Sequence, residues 1–244
     1  MKIKIHDTTY IFLLLSFLSG YFEYIFLFLL IIFIHESGHY FFSMLIKFKF
    51  EEIIIYPFGG ITKYNESLNV STNKELFVLS GGIILQLLFL YFINILFNNN
   101  LVTLHTFEII KKINIVLISF NFMPILPLDG GKLLNLILDK IFTYRLSNII
   151  SIVISFLFLI FFFFYDLNIL NIILSIFLLK CIVIEITNIR YKYNKFLLER
   201  YLNDYKFNKI KIINNINKFK RDYYHIINNT FERDYLHNLF DRSR

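Results

Sequence analysis

The sequence predicts an all-α polytopic membrane protein, and its composition and apolar runs both support that class. The chain has 244 residues, of which 57% are hydrophobic, and its mean hydropathy is +0.59. Soluble domains are usually about 45–50% apolar. Several runs reach the roughly 20 apolar residues that a membrane-crossing helix needs. We therefore predict about six transmembrane helices, near residues 8–20, 22–46, 75–97, 107–127, 147–165 and 167–187.

The charges of the connecting loops predict the orientation of these helices. The N-terminus, the second loop and the fourth loop carry lysines or arginines, whereas the first, third and fifth loops carry none. Cytoplasmic loops are enriched in Lys and Arg. We therefore expect both termini on the cytoplasmic side of the membrane.

The last 57 residues differ from the rest of the chain. Residues 188–244 hold 13 Lys or Arg against 6 Asp or Glu, so they carry the whole net charge of +7. The stretch "KFLLERYLNDYKF" places Phe196, Leu197, Tyr201 and Leu202 near one helical face. We expect a membrane domain at 1–187 and a short helical cytoplasmic tail attracted to anionic lipid. The tail has no nucleic-acid readout motif, so we expect no nucleic-acid partner.

The second loop contains "EEIIIYPFGGITKY", residues 51–64. Its β-branched residues followed by Pro57 and Gly59-Gly60 are typical of a short strand and turn. A small membrane-associated β-hairpin and an ordinary structured loop are equally good interpretations. An extended substrate could pair with the edge of the "EEIIIY" strand.

The motif "HESGH" lies inside the second apolar segment. His35 and His39 are spaced i, i+4, so they project from one helical face and can bind one Zn²⁺ together. Glu36 lies beside them and can act as the general base of an HExxH site. The alternative is a buried His/Glu cluster that holds helices together. A cysteine-based metal cluster is excluded because Cys181 is the single cysteine.

A catalytic zinc site needs a third protein ligand, and "NFMPILPLDGGKLL" at 121–134 offers Asp129. Pro124 and Pro127 interrupt the predicted helix, and the Gly-Gly pair that follows Asp129 allows close backbone approach. In the predicted topology Asp129 and His39 both fall in the cytoplasmic half of the membrane. We therefore expect them to share one site.

Together, "HESGH" and "NFMPILPLDGG" resemble the motifs of the site-2 protease family of intramembrane zinc metalloproteases, peptidase family M50. The resemblance implies a zinc metalloendopeptidase with one Zn²⁺ per chain, bound by His35, His39 and Asp129. It implies that Glu36 activates water and that Asn121 positions the substrate or stabilises the oxyanion. It also implies a membrane-embedded substrate loop near the active site, formed by Pro57, Phe58, Gly59 and Gly60.

The stretches "YPFGG", "LHTFE" and "FLLERY" are similar to those of a sporulation branch of this family. Members of that branch process a membrane-associated precursor of a sigma factor and are held inactive by membrane partners. We therefore expect such a substrate and such inhibitory regulators, and a homo-oligomer is possible.

The chain departs from the family pattern in two places. In the third segment Gly82 replaces a proline of the family pattern. The tail is too short and polar for a complete nucleotide-sensing CBS domain.

Two functions of other classes remain as alternatives. Intramembrane His, Glu and Asp also mark ion paths, so the chain could be a metal-ion transporter. It could also be a catalytically inactive membrane scaffold that keeps the motifs. Against transport, the ionisable residues cluster in one half of the membrane rather than trace a path across it.

Overall fold

The computed structural model describes residues 3–5, 7–48, 50–56, 59–64, 67–165, 168–203, 205 and 207–241. The chain forms two compact units. The first comprises Met1–Glu66 and Leu76–Phe120, and the second comprises Ser67–Glu75 and Asn121–Arg244. The long helix that starts at Thr72 therefore belongs to both units.

The first unit is helical with one small sheet. Its helices are α1 (Asp7–Leu18), α2 (Phe22–Leu45), α3 (Thr72–Asn98) from its second turn onward, and α4 (Leu104–Asn121), and its strands are β1 (Ile3–Ile5), β2 (Phe50–Tyr56) and β3 (Gly59–Tyr64). The core lies where α2, α3 and α4 bury aliphatic side chains, among them Ile31, Ile93 and Ile109.

The hairpin predicted in the second loop is present. Strands β2 and β3 pair antiparallel, with Tyr56 opposite Gly59. The N-terminal strand β1 was not foreseen, and it pairs parallel to β2 with Ile3 opposite Ile53. Because β2 is the central strand, the idea that a substrate pairs with its edge is wrong. Pro57 and Phe58 lie outside the described residues.

The second unit combines three helices with a small α/β domain. Its helices are α5 (Asp129–Ile141), α6 (Tyr144–Tyr165), α7 (Ile169–Leu202) and α8 (Glu232–Asp241), and its strands are β4 (Ile210–Ile213), β5 (Tyr224–Ile227) and β6 (Thr230–Phe231). Strand β4 pairs parallel to β5, and β5 pairs antiparallel to β6. Tyr144, Phe196, Phe219, Ile227 and Leu236 form the core of this domain.

The prediction of a helical tail holds as far as Leu202 and again in α8, but it is wrong for the strands between them. Helix α7 passes without a break through residues 187 and 188, and strands follow it. The β-branched runs "IKII" and "YHII" favour strands. Asn228 and Asn229 both have positive φ, which suits the tight turn between β5 and β6.

Four of the described helices are long and apolar enough to cross a membrane, at Phe22–Leu45, Thr72–Asn98, Tyr144–Tyr165 and Asn171–Leu202. The predicted count of six is not confirmed. Helix α1 has 12 residues, fewer than the roughly 20 that a span requires. Helix α4 has 18 residues and carries Glu108, Lys111 and Lys112, which lower its hydropathy.

Candidate metal centre

Helices α2 and α3 cross at a point where neither has a side chain. A Cβ built on Gly38 would lie 2.3 Å from the carbonyl oxygen of Gly81, and one built on Gly81 would lie 2.6 Å from that of Gly38. Small residues at a helix crossing let backbones approach closely. The crossing sets residues 35 and 39 of α2 directly against α3.

The predicted HExxH side chains form one buried group in the first unit. His35, Glu36 and His39 are exposed by 3%, 7% and 4%. Their nitrogen and oxygen atoms that could bind a metal all lie within 4.8 Å of one another. The two histidines bring their Nε2 atoms to 3.1 Å, as the i, i+4 spacing predicts.

Hydrogen bonds to α3 orient both imidazoles. His39 Nδ1 lies 3.0 Å from the carbonyl oxygen of Val78, which can only accept, so this nitrogen carries the proton. His35 Nδ1 lies 2.9 Å from Gln86 Oε1. Gln86 Nε2 donates to the carbonyl of Asn114, which fixes the orientation of the Gln86 amide. His35 Nδ1 is therefore a donor as well.

This donor set fits a metal ion. With Nδ1 as the donor, a neutral imidazole offers the lone pair of its Nε2 to a metal ion. The two Nε2 atoms lie 3.1 Å apart. Two nitrogens bound tetrahedrally to one zinc ion at about 2.05 Å are about 3.3 Å apart. Metal-binding histidines also commonly donate their other N–H to a carbonyl oxygen.

Gly82 leaves the space that such an ion needs. A Cβ on this residue would lie 2.5 Å from His39 Nε2 and 2.8 Å from His35 Cε1. The absent side chain therefore leaves a cradle in which both imidazoles lie directly against helix α3. The proline that the family pattern has at this position is replaced by the smallest residue.

Asp129 and Asn121 are in the second unit. Asn121 is the last residue of α4, and Asp129 is the first residue of α5, so the helix is broken between them, as the two prolines predict. The Asp129 side chain is 12% exposed, and its Oδ1 lies 3.2 Å from Lys132 Nζ. A carboxylate in the first turn of a helix is stabilised by the helix dipole.

The Gly-Gly pair after Asp129 is required by packing. A Cβ on Gly130 would lie 2.3 Å from the carbonyl oxygen of Phe122, and one on Gly131 would lie 2.5 Å from the carbonyl carbon of Ile125. The segment between the helices is held by Ser155 of α6, whose hydroxyl accepts the backbone N–H of Leu126 at 3.0 Å. The start of α5 is thus tightly packed.

Of the predicted substrate loop, Gly59 and Gly60 are the first residues of β3, opposite Tyr56 and Ile55. Sequence reasoning missed Gln86, and it noted Gly82 without giving it a place in the site. Gln86 could have been noticed as a polar residue inside an apolar segment, since such a residue needs a polar partner, although the sequence does not say which one.

The comparisons with known proteins identify the family of the chain. The family model described as Peptidase family M50 matches residues 23–102 and 97–165, more than half of the chain. Stage IV sporulation protein FB of Bacillus subtilis is 27% identical over 206 residues, which cover 82% of this chain and 72% of the relative. A zinc metalloprotease of Methanocaldococcus jannaschii is 31% identical over 124 residues, 48% of this chain and 35% of that protein.

The fold is also that of a solved structure, the site-2 protease from Methanocaldococcus jannaschii. The TM-score is 0.57 with 24% sequence identity, over 75% of this chain and 89% of the other. With four apolar helices and membrane proteases among its relatives, the chain is an integral membrane protein. It belongs to peptidase family M50, the site-2 protease family of metallopeptidases.

Proposed function

We propose that the chain is a zinc-dependent intramembrane endopeptidase in which His35, His39 and Asp129 hold one zinc ion. The observation that carries the proposal is the buried group of His35, Glu36 and His39, whose possible metal-binding atoms all lie within 4.8 Å of one another. When bound, zinc supplies a Lewis acid that polarises the scissile carbonyl and acidifies water to near neutral pH.

The side chains of this protein then have distinct tasks. Glu36 takes a proton from the attacking water and passes it to the nitrogen of the leaving amine, as the Glu of an HExxH motif does. Asn121 donates a hydrogen bond to the oxygen that gains charge in the transition state. The carbonyl of Val78 and the amide of Gln86 keep both imidazoles in the tautomer whose Nε2 can bind metal.

The substrate we propose is a membrane-associated precursor protein, and a sporulation sigma-factor precursor is the specific candidate. Support comes from the relative named as a stage IV sporulation protein. A substrate strand would add to β3, which pairs with β2 along one edge. Both termini would face the cytoplasm, and membrane-protein inhibitors and anionic lipid would be the further partners.

The transporter and scaffold alternatives have less support. Metallopeptidase membership speaks against a transporter. A scaffold would have no need for two imidazoles held in one orientation by hydrogen bonds to α3, and both bonds are present here.

The test is co-expression of the full chain with a membrane-tethered sigma-factor precursor, comparing wild type with Glu36→Gln. Loss of the base should lower cleavage by about 10³-fold while zinc content stays unchanged. Glu23→Gln, an exposed change on the same helix, is the matched control. Equal cleavage by wild type and Glu36→Gln would remove Glu36 from the mechanism. Absence of cleavage by wild type would reject this substrate class.

A further inference from the structure

A buried arginine of the tail is bonded to residues far from it in sequence. Arg221 is 5% exposed, and its guanidinium pairs with the carboxylates of Glu75 and Asp139. It also donates to the carbonyl oxygen of Val70 at 2.7 Å. The next residue, Asp222, accepts from the backbone N–H and the hydroxyl of Thr72, where α3 begins. Residues 221–222 therefore hold the segment that enters α3.

The second partner of Arg221 lies on the helix that starts with Asp129. Asp139 is 1% exposed and lies ten residues further along α5, a rise of about 15 Å. Arg221 Nη1 is 3.3 Å from its Oδ2, and the Ser147 hydroxyl donates to its Oδ1. The far end of α5 is thus tied to the tail by one ion pair.

Helix α5 depends on such contacts because it is short. Its 13 residues are about the length below which an isolated helix is marginal in water. One end is packed through Gly130 and Gly131 against the segment after α4. The other end is held through Asp139. With both ends fixed, the rotation of α5 about its own axis is set.

We propose that Arg221 is a positioning residue of the metallopeptidase: by holding Asp139 it fixes α5 and so the place of the Asp129 carboxylate. The inference rests on the proposed function, because it takes Asp129 as a metal ligand. The tail would then have a structural role in the metallopeptidase, which its basic composition did not indicate.

The electrostatics of the pair explain why one substitution should move the helix. Burial raises the pKa of the Asp139 carboxyl to about 6, although Arg221 and the Ser147 hydroxyl pull it down. Burial works against the charge of Arg221 too, yet Glu75 and Asp139 hold its pKa above the usual value. Without Arg221, the fully buried Asp139 loses its ion pair and takes up a proton at neutral pH, whereas Glu75, with 29% of its side chain exposed, can be solvated.

The test uses the purified full-length protein with three variants. Arg221→Gln removes the cation, and Asp139→Asn with Arg221→Gln removes both charges and leaves two amides that can bond each other. Arg233→Gln makes the same change at an exposed arginine of the tail. The readouts are amide hydrogen exchange of α5 peptides and zinc affinity by competition with a chelator.

We expect Arg221→Gln to speed exchange in α5 and to weaken zinc affinity, each by about tenfold or more, as changes to groups that orient metal ligands do. The double variant should recover most of both losses, and Arg233→Gln should match wild type. Such recovery would not follow from general unfolding of the tail.

Three results would overturn the proposal. They are unchanged α5 exchange in Arg221→Gln, faster exchange with unchanged zinc affinity, and a loss that spreads over α6 and α7 and is not recovered in the double variant. If wild type itself binds no zinc, the proposed function fails, and the role of Arg221 fails with it. If wild type binds zinc and Arg221→Gln binds it equally well, the role of Arg221 fails alone.

Discussion

Two groups of buried polar side chains in this protein are balanced in different ways. The arginine cluster (Glu75, Asp139 and Arg221) joins two carboxylates to one guanidinium through direct ion pairs. The membrane cluster (His35, Glu36 and His39) contains a carboxyl group and two imidazoles whose Nε2 atoms lie 3.1 Å apart. The first cluster contains its own cation, whereas we propose that the second binds a metal cation.

This difference teaches how to distinguish a structural polar cluster from a metal site. Buried charges are tolerated when they are paired and hydrogen-bonded. In the arginine cluster a hydroxyl and a backbone carbonyl add to the ion pairs, and of the described polar atoms of Arg221 only the buried Nε lacks a partner. In the membrane cluster the Nδ1 atoms bond to Gln86 and Val78, and the Nε2 atoms face each other at 3.1 Å. The close spacing of possible metal-binding atoms, more than burial itself, is what points to a metal site here.

The largest effect should come from filling the cradle of the membrane cluster. Gly82→Ala places a methyl group 2.5 Å from His39 Nε2, within the space that a bound ion would share. We expect zinc content to fall to near zero and cleavage to fall by about 10²-fold or more, since metal-assisted hydrolysis depends on that ion. Zinc analysis and a cleavage assay check this.

Ser80→Ala, which introduces the same residue two positions earlier on α3, should leave zinc content and cleavage unchanged. A Gly82→Ala protein that holds zinc as well as wild type would show that the imidazoles bind no ion at that point.

A smaller effect is expected from Gln86→Leu. This change removes the acceptor of the His35 Nδ1–H bond but leaves the ring in place. We expect zinc affinity to fall by about 10- to 100-fold, because the lost bond orients a metal ligand. Chelator competition measures the affinity. Gln86→Glu keeps an acceptor and should retain more affinity than Gln86→Leu, and the reverse order would contradict the assigned tautomer.

The sequence predicted the membrane cluster but not the arginine cluster. The HExxH spacing fixes His35, Glu36 and His39 on one helical face, and α2 runs from Phe22 to Leu45 close to the predicted 22–46. The break before Asp129 followed from two prolines. The roles of Gln86 and Arg221 were not predicted. Their partners His35 and Asp139 are 51 and 82 residues away in the chain, and a single sequence does not show which distant residues come into contact.

For the two small sheets too, the sequence did not show which distant segments pair. The "EEIIIY" run was recognised as a strand, but the position of β2 between β1 and β3 depends on a three-residue strand at the N-terminus. The strands of the tail were hidden by a helical pattern that is real as far as Leu202. Local sequence propensity identified the strand β2, whereas the strands that pair with it depend on tertiary contacts that the sequence does not show.

The smallest expected effect concerns pH and the arginine cluster. The pKa of Asp139 is about 6 in the folded protein against an ordinary value of 3.8. Its stabilising contribution is therefore complete below about pH 3.8 and is lost as pH rises through about 6. Asn does not titrate, so Asp139→Asn should gain stability relative to wild type by about 3 kcal/mol across that interval.

Unfolding in detergent at several pH values between 3.5 and 7 checks this, taking the difference between the two proteins at each pH as roughly the Asp139 contribution alone. A difference that stays flat, or that shrinks as pH rises, would contradict the raised pKa of Asp139. The sign distinguishes the arginine cluster from an exposed ion pair, whose carboxyl pKa would be lowered.

The most direct test of the central claim is X-ray absorption at the zinc edge on the purified full-length protein, with His39→Ala beside it. We predict about one zinc per chain with two imidazole nitrogens at about 2.0–2.1 Å and oxygen ligands completing the shell. His39→Ala should lose the metal or show one imidazole fewer. Wild-type protein without zinc, or zinc whose shell is the same in His39→Ala, would contradict the assignment of the membrane cluster as the metal site.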